Sequence, residues 1–327
     1  MNRSHANLLS VVFGISGATA LIYDIVWSRL LQTIFGSTLY STSTIFAAFS
    51  LGLSIGAFAL RNHANTTKQP LVQLTLIEIA IGLYGIFITT IFSAVNAVYL
   101  SLPPNNFITL LLFFTILLPQ TILFGAIWPF VNSLTIREPG TVGRSSAALY
   151  SISSLGSALR AFASGFILVP ILGFKTTSAL AGIINIGARL LRLILAIRTS
   201  SEPTNANQHN LQPQSARPAA PIPGTTASTF FSGMAALIYQ VSWIRPITSV
   251  LQSTVYVVAL ILTAFMLGLA LGRFTMRYFI DAVDKPLLLY SMVEFGIAAY
   301  GLLLLSLFSL LPSILQTVTA IKIPFQY

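Results

Sequence analysis

Residues 16–38 read SGATALIYDIVWSRLLQTIFGST, and residues 232–254 read SGMAALIYQVSWIRPITSVLQST. The two strings share a Ser-Gly pair, the tetrapeptide Ala-Leu-Ile-Tyr, a tryptophan and an arginine at matching places. The match continues without a gap, so that residues 16–85 align with residues 232–301 at a constant separation of 216 positions. Because chance does not keep such a register, the sequence predicts a duplicated structural unit.

The composition of the chain is typical of a membrane protein. Of its 327 residues, 55% are hydrophobic and 7% are charged, whereas soluble domains carry about 25% charged residues. As a soluble protein the chain would expose far too much apolar surface. We therefore predict an all-α, polytopic membrane helix bundle built as a parallel internal repeat. Since the sequence contains no cysteine, disulfides and thiol catalysis are excluded.

Apolar stretches of about 20 residues are long enough to cross a bilayer, and the sequence predicts nine of them. Their expected limits are roughly 8–35, 38–60, 71–99, 107–133, 146–172, 177–197, 228–251, 254–275 and 287–312. Residues 1–198 then form a first six-helix unit, and residues 227–327 form three helices of an incomplete second unit. Between them, residues 199–226 contain five prolines and are expected to be a flexible cytoplasmic linker.

The basic residues predict the orientation of the bundle. With the N-terminus in the cytoplasm, ten of them fall on the cytoplasmic side, namely Arg3, Arg61, Lys68, Arg137, Arg144, Arg198, Arg217, Arg273, Arg277 and Lys285. Only Lys175 and Lys322 fall outside. This bias follows the positive-inside rule and predicts a cytoplasmic N-terminus. We expect the chain in the inner (plasma) membrane of a bacterium or archaeon. The net charge of +10 then reflects topology and contact with the lipid bilayer, so nucleic acid is not an expected partner.

The repeated string resembles the membrane region of spermidine synthase-like membrane proteins, in which a transporter-like membrane domain is fused to a spermidine synthase domain. Two further segments support the resemblance, which covers most of residues 10–312. One is similar to the fourth helix of that family, through Leu118-Pro119, Phe124-Gly125-Ala126 and Pro129. The other resembles its fifth helix, through Ala148-Leu149-Tyr150, Leu155-Gly156, Gly165-Phe166, Pro170 and Leu172-Gly173. The resemblance implies a transporter-like fold and a link with polyamines.

The chain also departs from the pattern of that family. Ser153-Ser154 stands where the family usually has Asn-Thr, and Arg160 stands where it has a small residue. The sequence shows no strand, glycine-rich turn and downstream acidic residue of the kind that a nucleotide-like cofactor needs. We therefore expect no cofactor and no catalysis from this chain by itself. Aminopropyl transfer remains an alternative if a catalytic domain is supplied on another chain.

Asp24 lies deep in the first predicted span. A lone carboxylate there costs about 2.5–3.5 kcal/mol, so it should face a cavity or a partner. Either it forms a cation or proton site, or it forms an interhelical hydrogen bond that holds the bundle together. Gln240 takes its place in the second copy, and Tyr23 and Tyr239 precede the two positions as candidates for substrate contact or packing. Arg160, near the centre of the fifth span, needs a partner, and Asp24 is the nearest match in depth.

Two glutamates occupy equivalent positions near the cytoplasmic ends of their predicted helices. Glu78 lies in the third predicted span and Glu294 in the ninth. They could face a cytoplasmic vestibule and attract a cationic substrate. Alternatively, each could form a salt bridge with an arginine at the cytoplasmic end of a helix, such as Arg61 or Arg277.

Other arginines are expected near the two membrane interfaces. Arg29 and Arg245 each follow a tryptophan by two residues, so they are expected to reach toward lipid head groups. The alternative for Arg29 is an inward position beside Asp24. Arg189 and Arg192 lie in the last half of the sixth span and are expected to extend toward the cytoplasm.

Small residues and prolines indicate where helices pack closely or bend. Two equivalent spans carry the pattern of two glycines four positions apart, which lets backbones approach: Gly52 and Gly56, and Gly268 and Gly272. Pro119 and Pro129 each remove a helix donor, so the fourth helix should be kinked or broken. The three histidines, His5, His63 and His209, share no helix face, so no metal site is predicted.

Three hypotheses about function follow. The first is a non-catalytic integral membrane protein of the spermidine synthase-like family, which binds or transports a small substrate between the two repeats. The substrate could be a polyamine-like cation, with negative potential from Asp24, Glu78 and Glu294. The second is the membrane part of a polyamine aminopropyltransferase whose catalytic domain is separate. The third is a structural subunit of a larger membrane complex, in which other membrane subunits complete the second repeat.

Overall fold

The computed structural model describes residues 20–34, 38–99, 106–135, 142–199, 224–251, 254–278, 283 and 285–320. Within these ranges every regular element is a helix, and no strand occurs. Helix α1 covers residues 20–34. The later helices are α2 Thr38–Thr66, α3 Pro70–Tyr99, α4 Asn106–Thr135, α5 Val142–Ala163, α6 Val169–Thr199, α7 Thr225–Leu251, α8 Thr254–Met276 and α9 Pro286–Ala320. Most of the predicted linker 199–226, together with His5 and His209, lies outside the described residues.

Six helical stretches within the described residues are long and apolar enough to cross a membrane, which is compatible with an integral membrane protein. They are Tyr40–Thr66, Pro70–Ala97, Phe107–Ser133, Ser151–Leu190, Val255–Met276 and Pro286–Leu310. One of them, Ser151–Leu190, covers most of two predicted spans, 146–172 and 177–197. The number of nine spans therefore stays a prediction, whereas the all-helical class is confirmed.

The chain leaves helical geometry inside α6 at Gly173, which has φ 74° and ψ 165°. Glycine adopts this positive φ without the steric cost that a side chain would bring. The break lies between the fifth and sixth predicted spans. A π-helical turn, Ser164–Leu168, joins α5 to α6 just before it. By contrast, α4 continues as one helix through Pro119 and Pro129, so no break is seen there, and the predicted kink stays a prediction.

Helix α1 contributes to both apolar clusters of the bundle. Tyr23 and Trp27 lie in a cluster formed mainly with α2, α3 and α4. Leu21 and Ile25 lie in a second cluster formed with α2, α5, α7 and α8. All side chains from residue 20 to residue 28 are buried. Because residues 20–28 of α1 are enclosed on opposite faces, a polar side chain in that stretch has little access to solvent.

Hydrogen bonds between neighbouring helices show how they run relative to one another. Tyr84 on α3 donates to the carbonyl of Ile116 on α4 (2.7 Å), whereas Gln120 on α4 donates to the carbonyl of Ile81 (3.4 Å). The residue numbers rise on one helix as they fall on the other, so α3 and α4 are antiparallel.

The same reasoning applies to the pair formed by α3 and α6. Ser178 donates to the carbonyl of Gly85 (2.6 Å), and Asn185 donates to the carbonyl of Glu78 (2.8 Å). These helices are therefore also antiparallel. Such an alternation is what successive crossings of a bilayer produce.

Helix α8 packs against α5, and α9 lies beside α7. Ser151 donates to the carbonyl of Ala270 (2.8 Å), and Gly165 faces Ala259, so α5 and α8 are antiparallel. On α7, Ser228 and Ser232 contact Tyr290 and Glu294 of α9, in the same order along both helices. Helices α7 and α9 are therefore parallel, again as alternating crossings require.

Labelling of single cysteines tests this topology directly, because the natural chain has none. Lys68 and Lys285 are exposed beside the N-terminal ends of α3 and α9, and exposed Lys175 follows the break at Gly173. In right-side-out vesicles, a membrane-impermeant maleimide should label Lys175→Cys, whereas Lys68→Cys and Lys285→Cys should react only in inverted vesicles. Labelling of Lys68→Cys and Lys285→Cys from opposite sides would contradict the parallel arrangement.

Candidate functional site

A cavity of about 280 Å³ lies between α1, α2 and α4 on one side and α5 and α8 on the other. Its wall is mostly apolar, with contributions from Phe49, Leu53, Phe124 and Trp128. The volume is close to the lower end of the range, about 300–1,000 Å³, that small-molecule pockets occupy. The cavity can therefore hold a small organic molecule.

The polar groups of the cavity come from α5 and α8. Ser153, Ser154 and Ser157 recur along one face of α5 and are buried. Arg273, near the C-terminal end of α8, donates a hydrogen bond to the hydroxyl of Ser154 (2.7 Å). The hydroxyls and the guanidinium fix one polar end in an otherwise apolar space, which suits a molecule with an apolar body and a hydrogen-bonding group.

The charge in the cavity wall is positive. Arg273 is its charged residue among the described ones, and no carboxylate lines it. A guanidinium donates hydrogen bonds and accepts none, so it favours acceptor groups such as a carboxylate. The described part of the wall therefore presents a cation and hydroxyl groups to a molecule in the cavity.

Asp24 is buried on α1, with 4% of its surface exposed, and does not line this cavity. Among the described residues, its carboxyl oxygen Oδ1 has no hydrogen-bond partner. Arg160, the expected partner of Asp24, is half-buried. No ion pair between the two side chains is seen among the described residues. Gln240, its counterpart on α7, is equally buried at 4% exposure.

Glu78 forms an ion pair with Arg189 of α6, and both side chains are buried. The prediction that Arg189 extends toward the cytoplasm is therefore wrong, because its guanidinium lies within the bundle. Glu78 is also not exposed to a vestibule, and it does not pair with Arg61. The ion pair joins α3 to α6 beside the hydrogen bond from Asn185.

Glu294 is half-buried and accepts a hydrogen bond from the hydroxyl of Ser232 (2.6 Å). The arginines that could have paired with the two glutamates lie over phenylalanine rings instead. Arg61 is 4.4 Å from the ring centre of Phe58, and Arg277 is 4.1 Å from that of Phe274. The expected salt bridges of Glu78 and Glu294 with Arg61 and Arg277 are therefore not formed.

Tyr23 and Tyr239 make similar packing contacts. Tyr23 stacks on Trp27 with ring centres 6.1 Å apart, and Tyr239 stacks on Trp243 at 6.2 Å. Each phenol also covers a glycine on another helix, Gly85 on α3 for Tyr23 and Gly301 on α9 for Tyr239. These contacts give both tyrosines a packing role.

The two predicted interfacial arginines lie outside the cavity. Arg29 and Arg245 are exposed, as expected of side chains that reach an interface. The part of the chain that the structure describes contains no group of three or more residues able to hold a metal ion.

The two glycine pairs also lie outside the cavity, and their surroundings differ. Gly52 and Gly56 are buried against α4. By contrast, a β-carbon added to Gly268 or Gly272 would meet no atom within 4 Å. Close helix packing at the glycine pattern is therefore seen on α2, whereas on α8 it is not seen among the described residues.

The sequence did not show that Arg273 and the three serines belong to one site. One signal was present, because Ser153-Ser154 is the place where the chain departs from the Asn-Thr of the family it resembles. Arg273 was assigned only to the cytoplasmic end of its helix. The contact between these residues depends on how α5 packs against α8, which no local pattern shows.

Comparison with known proteins gives one partial similarity. The chain is 28% identical over 188 residues to a polyamine aminopropyltransferase from Corynebacterium efficiens. The match covers 56% of this chain and 34% of that protein, so the chain spans about a third of the relative that it matches. No family model and no solved structure matches the chain. A relation to spermidine synthase-like proteins is therefore supported over part of the chain.

Proposed function

We propose that this chain is a non-catalytic integral membrane protein, related to spermidine synthase-like membrane proteins, that binds or transports a small molecule. The substrate occupies the cavity between α1, α2 and α4 on one side and α5 and α8 on the other. The observation that carries this proposal is the mostly apolar cavity whose polar groups include Arg273 and Ser154. Sites between helices of a bundle are common places for small-molecule binding.

The proposed duplication of one membrane unit has support in matching contacts. Helices α2 and α8 begin at Thr38 and Thr254, and α3 and α9 begin at Pro70 and Pro286. Each pair is separated by the 216 positions of the repeated sequence. The two Tyr–Trp stacks, the two Tyr–Gly contacts and the two Arg–Phe contacts keep the same separation. Duplicated units with a site at their interface are characteristic of transporters.

The substrate class follows from the wall of the cavity. A cationic substrate was expected because of Asp24, Glu78 and Glu294, none of which lines the cavity. A polyamine would bring its ammonium groups near Arg273 and lose free energy by repulsion between like charges. We therefore favour a small substrate with an apolar chain and a carboxylate or similar acceptor.

Protection of an introduced cysteine tests the cavity and the substrate class together. Ser157→Cys places a unique thiol in the wall, since the natural chain has no cysteine. We expect adipate to slow its reaction with a small thiol reagent, and spermidine to have little effect. Adding Arg273→Gln should raise the adipate concentration needed for half-protection at least tenfold, because a charged hydrogen bond is worth about 1.5–3 kcal/mol.

The exposed Arg245 provides the matched control, because Arg245→Gln removes an arginine outside the cavity. Protection by spermidine that survives Arg273→Gln would contradict the proposed substrate class. If neither compound protects the thiol and Arg273→Gln changes nothing, the cavity is not a site for either class.

A second candidate function is the membrane part of a polyamine aminopropyltransferase. It is favoured by the 28% identity to a protein of that name. In this case the chain would hold a separately supplied catalytic domain at the membrane. Co-purification with aminopropyltransferase activity from a native membrane, lost when this chain is depleted, would support it. Retention of all such activity in the soluble fraction would count against it.

A further inference from the structure

Two arginines at equivalent places of the repeat lie over aromatic rings. The guanidinium of Arg61, near the C-terminal end of α2, is 4.4 Å from the ring centre of Phe58. The guanidinium of Arg277, just after the end of α8, is 4.1 Å from the ring centre of Phe274. The two pairs are 216 positions apart, so the same contact is made at the end of each copy of one helix.

The rings under the two guanidinium groups face outward from the bundle. Phe58 is 67% exposed, and Phe274 is 45% exposed. Both belong to stretches that are long and apolar enough to cross a membrane, Tyr40–Thr66 and Val255–Met276. In a bilayer, an exposed ring at the end of such a stretch contacts lipid. The guanidinium stacked on it is therefore held where the apolar span meets the head groups.

The hydrogen-bond donors of these arginines are not used by acidic side chains. Neither Arg61 nor Arg277 forms an ion pair within the described residues. Nη2 of Arg277 donates a hydrogen bond to the hydroxyl of Tyr278, whereas its Nε is buried and has no partner in that part of the chain. Stacking uses only the flat face of a guanidinium, so the N–H groups along its edge stay available for an acceptor.

The charge and position of these groups suit the phosphate of an anionic phospholipid. The edge of a guanidinium matches two phosphate oxygens and can form two parallel charged hydrogen bonds with them. A free phosphate ion could use the same edge, but it would leave the exposed ring beside it uncovered. The glycerol and acyl chain of a lipid would cover that ring as well, which adds the burial of apolar surface.

We propose that the ends of α2 and α8 each bind the head group of an anionic phospholipid. The residues of the two sites are Arg61 and Phe58 on α2, and Arg277, Phe274 and Tyr278 at the end of α8. The phosphate accepts hydrogen bonds from the guanidinium edge, and the start of an acyl chain lies against the phenylalanine ring. The repeat predicts that both sites reach the same membrane surface. These sites do not depend on the ligand of the cavity.

Fluorescence quenching by spin-labelled lipid tests the two sites separately. Because the natural chain has no cysteine, a fluorophore can be attached to Ala59→Cys on α2 or to Thr275→Cys on α8, two exposed positions 216 apart. Each labelled chain is reconstituted into phosphatidylcholine vesicles with a small fraction of nitroxide-labelled phosphatidylglycerol or phosphatidylcholine. At both positions we expect the apparent association constant of phosphatidylglycerol to be at least about threefold higher, because basic residues attract anionic lipid.

Each arginine should act on its own site. Arg277→Gln should abolish the preference for phosphatidylglycerol at Thr275→Cys and leave it unchanged at Ala59→Cys, and Arg61→Gln should do the reverse. Unchanged quenching at the distant position also shows that the variant is folded. Lys285→Gln is the matched control, since it removes an exposed charge from the connection after α8 for which no ring contact is described. It should change the preference much less than Arg277→Gln.

Four results would each overturn the proposal. The first is equal quenching by the two lipids at both positions. The second is an equal loss of preference at both positions in either arginine variant, which would indicate a general positive field. The third is a loss with Lys285→Gln as large as that with Arg277→Gln. The fourth is loss of the preference when sodium phosphate replaces sodium chloride at constant ionic strength, which would indicate a site for an inorganic anion.

Discussion

Gly56→Leu should prevent the chain from forming a stable bundle. A β-carbon at Gly56 would collide with the carbonyl of Ile122, and it would lie 2.7 Å from the backbone nitrogen of Ala126. Both obstacles are backbone atoms, so no side-chain rotation can relieve the overlap. Extra atoms in a packed interior cost about 1–3 kcal/mol and occasionally more. We expect the free energy of unfolding to fall by an amount at or above the upper end of this range. The change should be seen as a sharply lower unfolding temperature and a poor yield of monodisperse protein in detergent.

The matched control is Gly272→Leu, at the equivalent position of α8. It makes the same change in the same kind of helix, but none of the described atoms lies within 4 Å of its β-carbon. We expect its unfolding temperature to stay close to that of the natural chain. Equal destabilisation by the two variants would show that α2 and α8 are covered alike, and would contradict the difference in packing between the two helices.

Arg189→Met should destabilise the bundle by about 3–5 kcal/mol, because it leaves the carboxylate of Glu78 buried without its cation. Glu78→Leu should cost a similar amount for the reverse reason. The double variant should recover much of this loss, since a buried ion pair replaced by apolar side chains of similar size is often neutral or stabilising. The three variants are unfolded with increasing fractions of denaturing detergent. Comparison of their free energies of unfolding gives the coupling energy between the two residues.

Glu294→Gln provides the comparison for the ion pair. Glu294 is half-buried and accepts one hydrogen bond from Ser232 (2.6 Å), so the change should cost about 1 kcal/mol or less. If the losses of stability caused by Arg189→Met and Glu78→Leu simply add in the double variant, the two side chains do not interact in the folded protein.

The sequence predicts the helices well because their ends are chemically marked. Pro70 and Pro286 begin α3 and α9, and proline is favoured in the first turn, where its missing N–H is not needed. The limits 38–60 and 254–275 agree closely with the starts of α2 and α8. Apolar length and such markers are local properties, so they can be read without knowing the packing.

The side chain or helix that a given residue contacts could not be predicted in the same way. Glu78 and Arg189 are far apart in sequence, and their pairing depends on α3 packing against α6. Gly56 and Gly272 lie in the same kind of sequence pattern, yet only Gly56 is covered among the described residues. A local pattern shows which face of a helix can be approached closely, whereas the arrangement of the other helices decides whether anything approaches it.

The π-helical turn at Ser164–Leu168 lies between two parts of the chain that contact different helices. A π-turn holds one more residue than an α-turn, so it rotates the residues that follow it on the same helix axis by about 100°. Before the turn, α5 offers its serines to the cavity and to α8. After it, and after Gly173, the chain offers Ser178 and Asn185 to α3. A single surplus residue thereby changes the outward angle of the side chains between the turn and Gly173, and a deletion there would turn Val169, Ile171 and Leu172 toward other neighbours.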